Sequence, residues 1–446
     1  MRILLAQNMF HLPSHGGANK SNRILMEQLA ARGHECHVVA PLSGALRRTS
    51  PERHLAYLRD LGADIRSATG ELVVYEYRGV VAHAVVEPSR LARRVGEVAA
   101  TLDPTWTLVP SDDPGLIMLG AASRATPGRV VYLAHTLQQL PFGPGAFYPS
   151  AAGTRLVGAA AGVVSVSRAA REYLRTWGPI ESELIHPPVY GPGPFTALPS
   201  GGGAVPTAST ASTVSMVSMV NPCAYKGLPV FLALADARPE VPFLAVPTWG
   251  ATGDDLAALR ARPNVTLVEP SDDIGTILAR TGVLLMPSLW DETFGYTCVE
   301  AMLRGIPVLA SDVGGLSEAK LGVPYLLPVR RITAYEAGAH ARPVPVVPEQ
   351  DPGPWLAALD RLLGDPAHRR ELGERSRDAA AAFAASLDEG AFERYLSGLR
   401  PVAPPSPPAS RAKAPSPERR AALAALLAAR AAAARAPGTV PDQGAP

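Results

Sequence analysis

Two glutamates eight positions apart, Glu292 and Glu300, bracket the run Thr293-Phe294-Gly295-Tyr296-Thr297. A buried-type strand, Val283-Leu284-Leu285-Met286, leads into this loop and Pro287 stops it. A helix with Val299, Met302 and Leu303 on its apolar side follows, ended by Gly305. The free N–H groups at such a helix start attract an anion, and Gly295 lets a phosphate approach the backbone. Glu300, about one turn inside, is placed to accept hydrogen bonds from a ribose diol. Glu292, on the other side of the anion position, faces hydroxyls of whatever the phosphate carries. Lys226 stands in a second strand-to-helix turn and reaches a diphosphate as a point charge. The same spacing also suits an ordinary helix with one solvated and one capping glutamate, so spacing alone leaves both readings open.

These residues need strands and turns to hold them. Residues 3–6 read as a strand, Gly16-Gly17 as a turn, residues 18–32 as a helix with Leu25, Met26 and Leu29 inward, and residues 37–40 as a strand. The turn lacks the spaced three-glycine fingerprint, and Ala40-Pro41 stands where an acidic residue would close a dinucleotide site, which argues against nicotinamide or flavin. Strands at 72–77 and 80–86 flank an Arg78-Gly79 turn. Strands at 107–110 and 130–134 follow, the latter ending at His135-Thr136 before a polar, aromatic loop. Residues 190–212 are rich in Gly, Pro, Ser and Thr and read as a linker. The pattern restarts with strands at 214–220, 243–246 and 265–268, and residues 329–352 read as a loop. Helices are expected at 355–363, 369–384 and 391–399.

The quoted run from Glu292 to Glu300, followed by Gly305-Ile-Pro-Val and Gly314-Gly315-Leu-Ser-Glu318, resembles the donor-binding signature of GT-B-fold retaining glycosyltransferases. That large nucleotide-sugar-dependent family includes sucrose synthases, mannosyltransferases and the mycothiol and bacillithiol glycosyltransferases. The resemblance covers roughly residues 1 to 400. It implies an α/β GT-B architecture of two Rossmann-like doubly wound domains facing across a cleft. Residues 1–190 would bind acceptor, 191–212 link, 213–384 bind nucleotide sugar, and 385–402 return as a terminal helix. Residues 403–446 would be a disordered or partly helical Pro/Ala-rich tail. The resemblance also implies donor contacts by Gly16, Gly17, Asn221, Lys226, Glu269, Pro270, Phe294, Gly295, Tyr296, Thr297 and Glu300. Asn221 stands where an arginine is usual. His135, Lys226 and Glu292 take catalytic positions, while His15, Asn19, Lys20, Gln138, Phe142, Phe147 and Tyr148 are acceptor-side candidates.

Composition limits the alternatives. Charged residues are 18% and apolar ones 47%, enough for large buried sheets in 446 residues. Net charge is +2, yet residues 403–446 hold six basic and two acidic side chains, leaving a nearly neutral body that argues against nucleic acid. Cys36, Cys223 and Cys298 are scattered and form neither a disulfide framework nor a metal cluster, which fits a reducing compartment. No apolar run reaches membrane-spanning length. The expectation is a cytoplasmic, metal-independent, retaining sugar transfer. It uses no cofactor beyond a UDP-, GDP- or dTDP-linked co-substrate and a small-molecule or glycan acceptor. A nucleotide-sugar epimerase, a phosphorylase and a non-catalytic nucleotide-sugar-binding protein are the competing readings.

Overall fold

A computed structural model describes residues 1–14, 16–42, 50–191, 193–195, 216–337 and 343–403. His15, most of the expected linker and the tail beyond residue 403 lie outside the described residues. In β1 (Arg2–Ala6), Ile3 and Leu5 enter one apolar cluster while Leu4 and Ala6 enter another. A strand sends alternate side chains to opposite faces, so an unbroken apolar run means both faces are covered, as in a parallel sheet. With β2 (Glu35–Pro41), β3 (Asp64–Ala68), β4 (Leu72–Tyr77), β5 (Val80–Val85), β6 (Trp106–Pro110), β7 (Val130–Ala134), β8 (Gly162–Ser165) and β9 (Glu183–Leu184) it builds a nine-stranded sheet. The order is β3-β4-β5-β2-β1-β6-β7-β8-β9, antiparallel only along β3, β4 and β5.

The second sheet contains β10 (Met216–Val220), β11 (Phe243–Val246), β12 (Val265–Leu267), β13 (Thr281–Met286), β14 (Val308–Ser311) and β15 (Leu326–Leu327). Its order is β12-β11-β10-β13-β14-β15, parallel throughout. Strand order reverses beside β1 in the first sheet and beside β10 in the second. Crevices open beyond the C-terminal ends of strands at such switch points. The glycine turn follows β1, the Asn221 turn follows β10 and the Glu292 loop follows β13, so each stands at a switch point.

One stretch differs from the sequence expectation. Within residues 329–352, β16 (Tyr335–Ala337) and β17 (Pro343–Pro345) pair antiparallel, with Tyr335 opposite Pro345. Proline removes one donor but tolerates an edge, and a two-stranded ribbon is all edge. The helix Ala391–Gly398 packs on the first sheet: Phe392 and Leu396 join the cluster of Ile3 and Leu5, and Trp106 Nε1 donates to Leu396 O at 3.0 Å.

Candidate functional site: a cleft between two lobes

Lys226 closes a short turn after β10, and its Nζ donates to Glu292 Oε1 at 2.5 Å. It also lies 5.1 Å from the centroid of the Trp290 ring. Glu292 is buried, and its Oε1 accepts further bonds from Ser288 Oγ and from Trp290 Nε1 at 3.2 Å; none of these uses Oε2. Burial pushes the Glu292 carboxyl up, but the Lys226 ammonium and the three donors outweigh it and hold the group below the usual carboxylate range. The loop is pinned from behind by Gly315 N, which donates to Glu292 O at 2.7 Å.

Gly295, at φ +114°, turns the loop into the helix Tyr296–Met302, a conformation that a side chain would strain. The helix has seven residues, so the free amides of its first turn carry more of the attraction for an anion than a long macrodipole would. Phe294 points the other way, into the core against His186 and Phe383, and anchors the loop. Thr297 is half-buried in the first turn. Glu300 is buried, and Lys20 of the opposite lobe donates to its Oε1 at 2.5 Å.

The glycine turn meets the same place from the first lobe. A Cβ on Gly17 would lie 2.7 Å from Tyr296 Cδ2, so only glycine allows the helix Gly17–Ala31 to come this close. Gly16 faces Trp249. Asn221 sits at φ +59°, its Oδ1 accepting from Gly250 N at 3.0 Å while its Nδ2 is buried with no hydrogen-bond partner. Exposed Glu269 and half-buried Pro270 follow β12 on the same sheet.

Behind the glycine turn runs a buried polar chain. Gln7 Nε2 donates to Asn19 Oδ1 at 3.2 Å, Asn19 Nδ2 to Phe10 O at 2.6 Å, and Asn22 Nδ2 to Gln7 Oε1 at 3.4 Å. His135 Nε2 lies 2.8 Å from Asn22 Oδ1, which puts the ring proton on Nε2 and leaves the buried Nδ1 lone pair without a hydrogen-bond partner. Burial lowers this histidine to about 4, so it is a neutral imidazole at pH 7.

The loop after β7 crosses the cleft. Gln138 Nε2 donates to Asp291 O at 3.0 Å, and Phe147 packs against Tyr335 at 5.1 Å, Tyr225 at 6.1 Å and Trp290 at 6.5 Å. Tyr148 stands edge-on to Phe147. Phe142 instead fills the first-lobe core against Tyr173 and Gly178. Elsewhere Ser167 Oγ donates to Thr293 O at 2.5 Å, and Glu318 Oε2 accepts from Arg168 N at 2.8 Å and Ala169 N at 3.4 Å. His186 Nε2 is 3.2 Å from Glu318 Oε1, and a cavity of about 460 Å³ opens beside them.

Two family models match this chain: "Glycosyltransferase Family 4" over residues 15–190 and "Glycosyl transferases group 1" over residues 212–365. The solved structure of sucrose-phosphate synthase from Thermosynechococcus elongatus aligns with a TM-score of 0.60 at 18% identity, covering 89% of this chain and 99% of that one. The chain has the GT-B glycosyltransferase fold. The HepE structure from Anabaena, in complex with UDP and glucose, aligns with the same TM-score at 15% identity, over 89% of this chain and 99% of that one. Among curated relatives, the D-inositol 3-phosphate glycosyltransferase of Nocardia farcinica is 33% identical over 132 residues, 29% of this chain and 25% of that protein. The 2-deoxystreptamine glucosyltransferase of Streptomyces kanamyceticus is 37% identical over 131 residues, 28% of this chain and 33% of that protein. The matched stretch thus spans about a quarter to a third of these relatives.

Gly17 and Lys20 of the first lobe meet Tyr296 and Glu300 of the second, and the Lys226–Glu292 pair stands at the start of the loop that leads through Gly295 to that contact. The sequence reading passed over Trp290 and Ser288, which orient Glu292, and the dock made by Ser167 on Thr293. A tryptophan in a polar loop, two positions before a glutamate, was the available signal for the first. The second had none, because its partners are 126 residues apart. No described helix is long and apolar enough to cross a membrane.

Proposed function

We propose that this GT-B protein transfers a sugar from a nucleotide diphosphate to an acceptor, with retention at the anomeric carbon and without a metal. The observation that carries this reading is the Lys226–Glu292 pair in the interlobe cleft, next to the Gly295 turn and Glu300. As the glycosidic C–O bond to the diphosphate breaks, negative charge grows on the leaving oxygen and oxocarbenium character on the sugar. Lys226 and the amides of Gly295, Tyr296 and Thr297 stabilise the first; Glu292 Oε2 is available to the sugar hydroxyls. Neutral His135 offers its Nδ1 lone pair as an acceptor. Glu300 takes the ribose diol, and Glu269 with Pro270 borders the base. The two lobes already meet through Gly17 and Tyr296, so a bound donor is shielded from water between them.

UDP is the first nucleotide to try, because HepE is a structural neighbour solved with UDP. The test is a thermal-shift screen against UDP, GDP, dTDP and ADP. The best nucleotide is then offered as its sugar conjugate to polyol and aminocyclitol acceptors, and the anomer of the product is read by NMR. Stabilisation by one nucleotide and an α product from an α donor are expected; an inverted product removes the retaining assignment. Asn221, where the family has an arginine, favours a second reading, a binding protein without turnover. Nucleotide sugar that binds yet yields no free nucleotide in the presence of any acceptor would point to it.

A further inference from the structure

A diphosphate brings two or more negative charges, yet the turn after β10 offers one ammonium group, Lys226. Asn221 adds only a neutral amide donor, its buried and unpartnered Nδ2. The missing charge is on the other side of the cleft. Lys20 lies in the first turn of the helix Gly17–Ala31, and its Nζ is 2.5 Å from Glu300 Oε1, with side-chain exposures of 24% and 7%. Both cleft lysines therefore rest on second-lobe carboxylates, Lys226 on Glu292 and Lys20 on Glu300. The contact between Gly17 and Tyr296 puts the base of Lys20 beside the start of the helix that carries Glu300, with Glu292 in the loop before it.

We propose that Lys20 is the second cation for the donor diphosphate, supplied across the cleft by the acceptor lobe where the second lobe has Asn221. This rests on the nucleotide-sugar reading above. When a ribose diol takes the Glu300 carboxylate, the ammonium is freed, and its flexible four-carbon stem lets it turn to the phosphates. The ion pair with Glu300 is exchanged for one with the phosphates, and the buried Glu300 carboxylate keeps hydrogen bonds from the diol in place of its counter-ion. Because the lysine belongs to the first lobe, the phosphates then tie the two lobes together. Lys20 thereby favours a diphosphate over a monophosphate.

The experiment titrates UDP and UMP, or the pair of whichever base the wild type prefers, into wild type, Lys20→Met and Lys20→Arg by calorimetry. Thermal melts confirm that the variants fold. Lys20→Met is expected to weaken diphosphate binding about tenfold or more, the scale of one lost charge-assisted contact, while monophosphate binding changes less than twofold. Lys20→Arg keeps the charge and should retain most of the affinity. If Lys20→Met binds the diphosphate as tightly as wild type, or tighter, the lysine is only a latch between lobes and the proposal falls. If the wild type binds no nucleotide, the functional reading itself fails, and this inference with it.

Discussion

At the scale of residues, the site consists of charges already compensated before any ligand arrives. Lys226 neutralises a carboxylate that burial alone would drive toward protonation. Lys226→Ala should cost roughly 10²-fold or more in turnover, the size of one preorganised donor to a developing oxyanion. A loss below about threefold, measured by nucleotide release, would remove the lysine from the leaving group. The same substitution strands Glu292 without its counter-ion, so its carboxyl should rise, which a pH titration of nucleotide binding would register. Glu300→Gln keeps the size but loses the charge. It should weaken nucleotide binding about tenfold with little effect on the rate at saturating donor, and unchanged affinity would cancel the ribose role.

Elements bring these residues together by close approach and capping. Gly17→Ala places a methyl carbon 2.7 Å from the Tyr296 ring, so the ring or the helix must move. We expect a turnover loss of about tenfold or more with a melting temperature within a few degrees of wild type; full activity would show that this approach is not needed. The helix Arg168–Trp177 has two caps, its own Ser167 and, from the other lobe, the carboxylate of Glu318. Burial raises Glu318, but its contacts with His186 and with the helix amides hold it below the usual range. Losing such a cap costs about 1 kcal/mol. Glu318→Ala should therefore lower the melting temperature by a few degrees, and an unchanged melting curve would deny the dock.

At the scale of the whole molecule, four buried histidines among the described residues are harder to protonate when folded. Burial lowers His135 and His54 to about 4, and His11 and His83 to about 3, while in the unfolded chain they titrate near 6.5. The unfolded state takes up protons first, so their contribution is complete above about 6.5 and falls as pH drops toward 4. The slope is about 1.4 kcal/mol per pH unit for each histidine titrating only in the unfolded chain. Asp113, pushed up to about 6 by burial, and Asp112, also raised by burial, work in the opposite sense, two carboxyls against four imidazoles. Melting temperatures should therefore decline steadily from pH 7 to pH 4.5; a flat profile would mean that these rings are not buried neutral.

The fold was legible where the chain repeats a local rule. Strand β1 and the strands β7 and β11 are apolar runs buried on both faces, and Arg78-Gly79 marks the hairpin of β4 and β5. Short β9 and β15, two residues each, carry no periodicity to detect, and the β16–β17 ribbon is masked by its prolines. For the candidate site, the mutual placement of Glu292 through Glu300 was legible from spacing because a turn and a helix fix such residues relative to one another, whereas spacing left their role open. Sequence alone determined which residues stand at strand ends and helix starts. Only the tertiary structure decided that Lys20 reaches Glu300 across 280 positions, that Phe142 turns into a core while Phe147 crosses the cleft, and that Asn19 braces a loop. The reason is physical: side-chain direction within an element follows from backbone geometry, whereas pairing between lobes depends on how two separately packed sheets come to rest against each other.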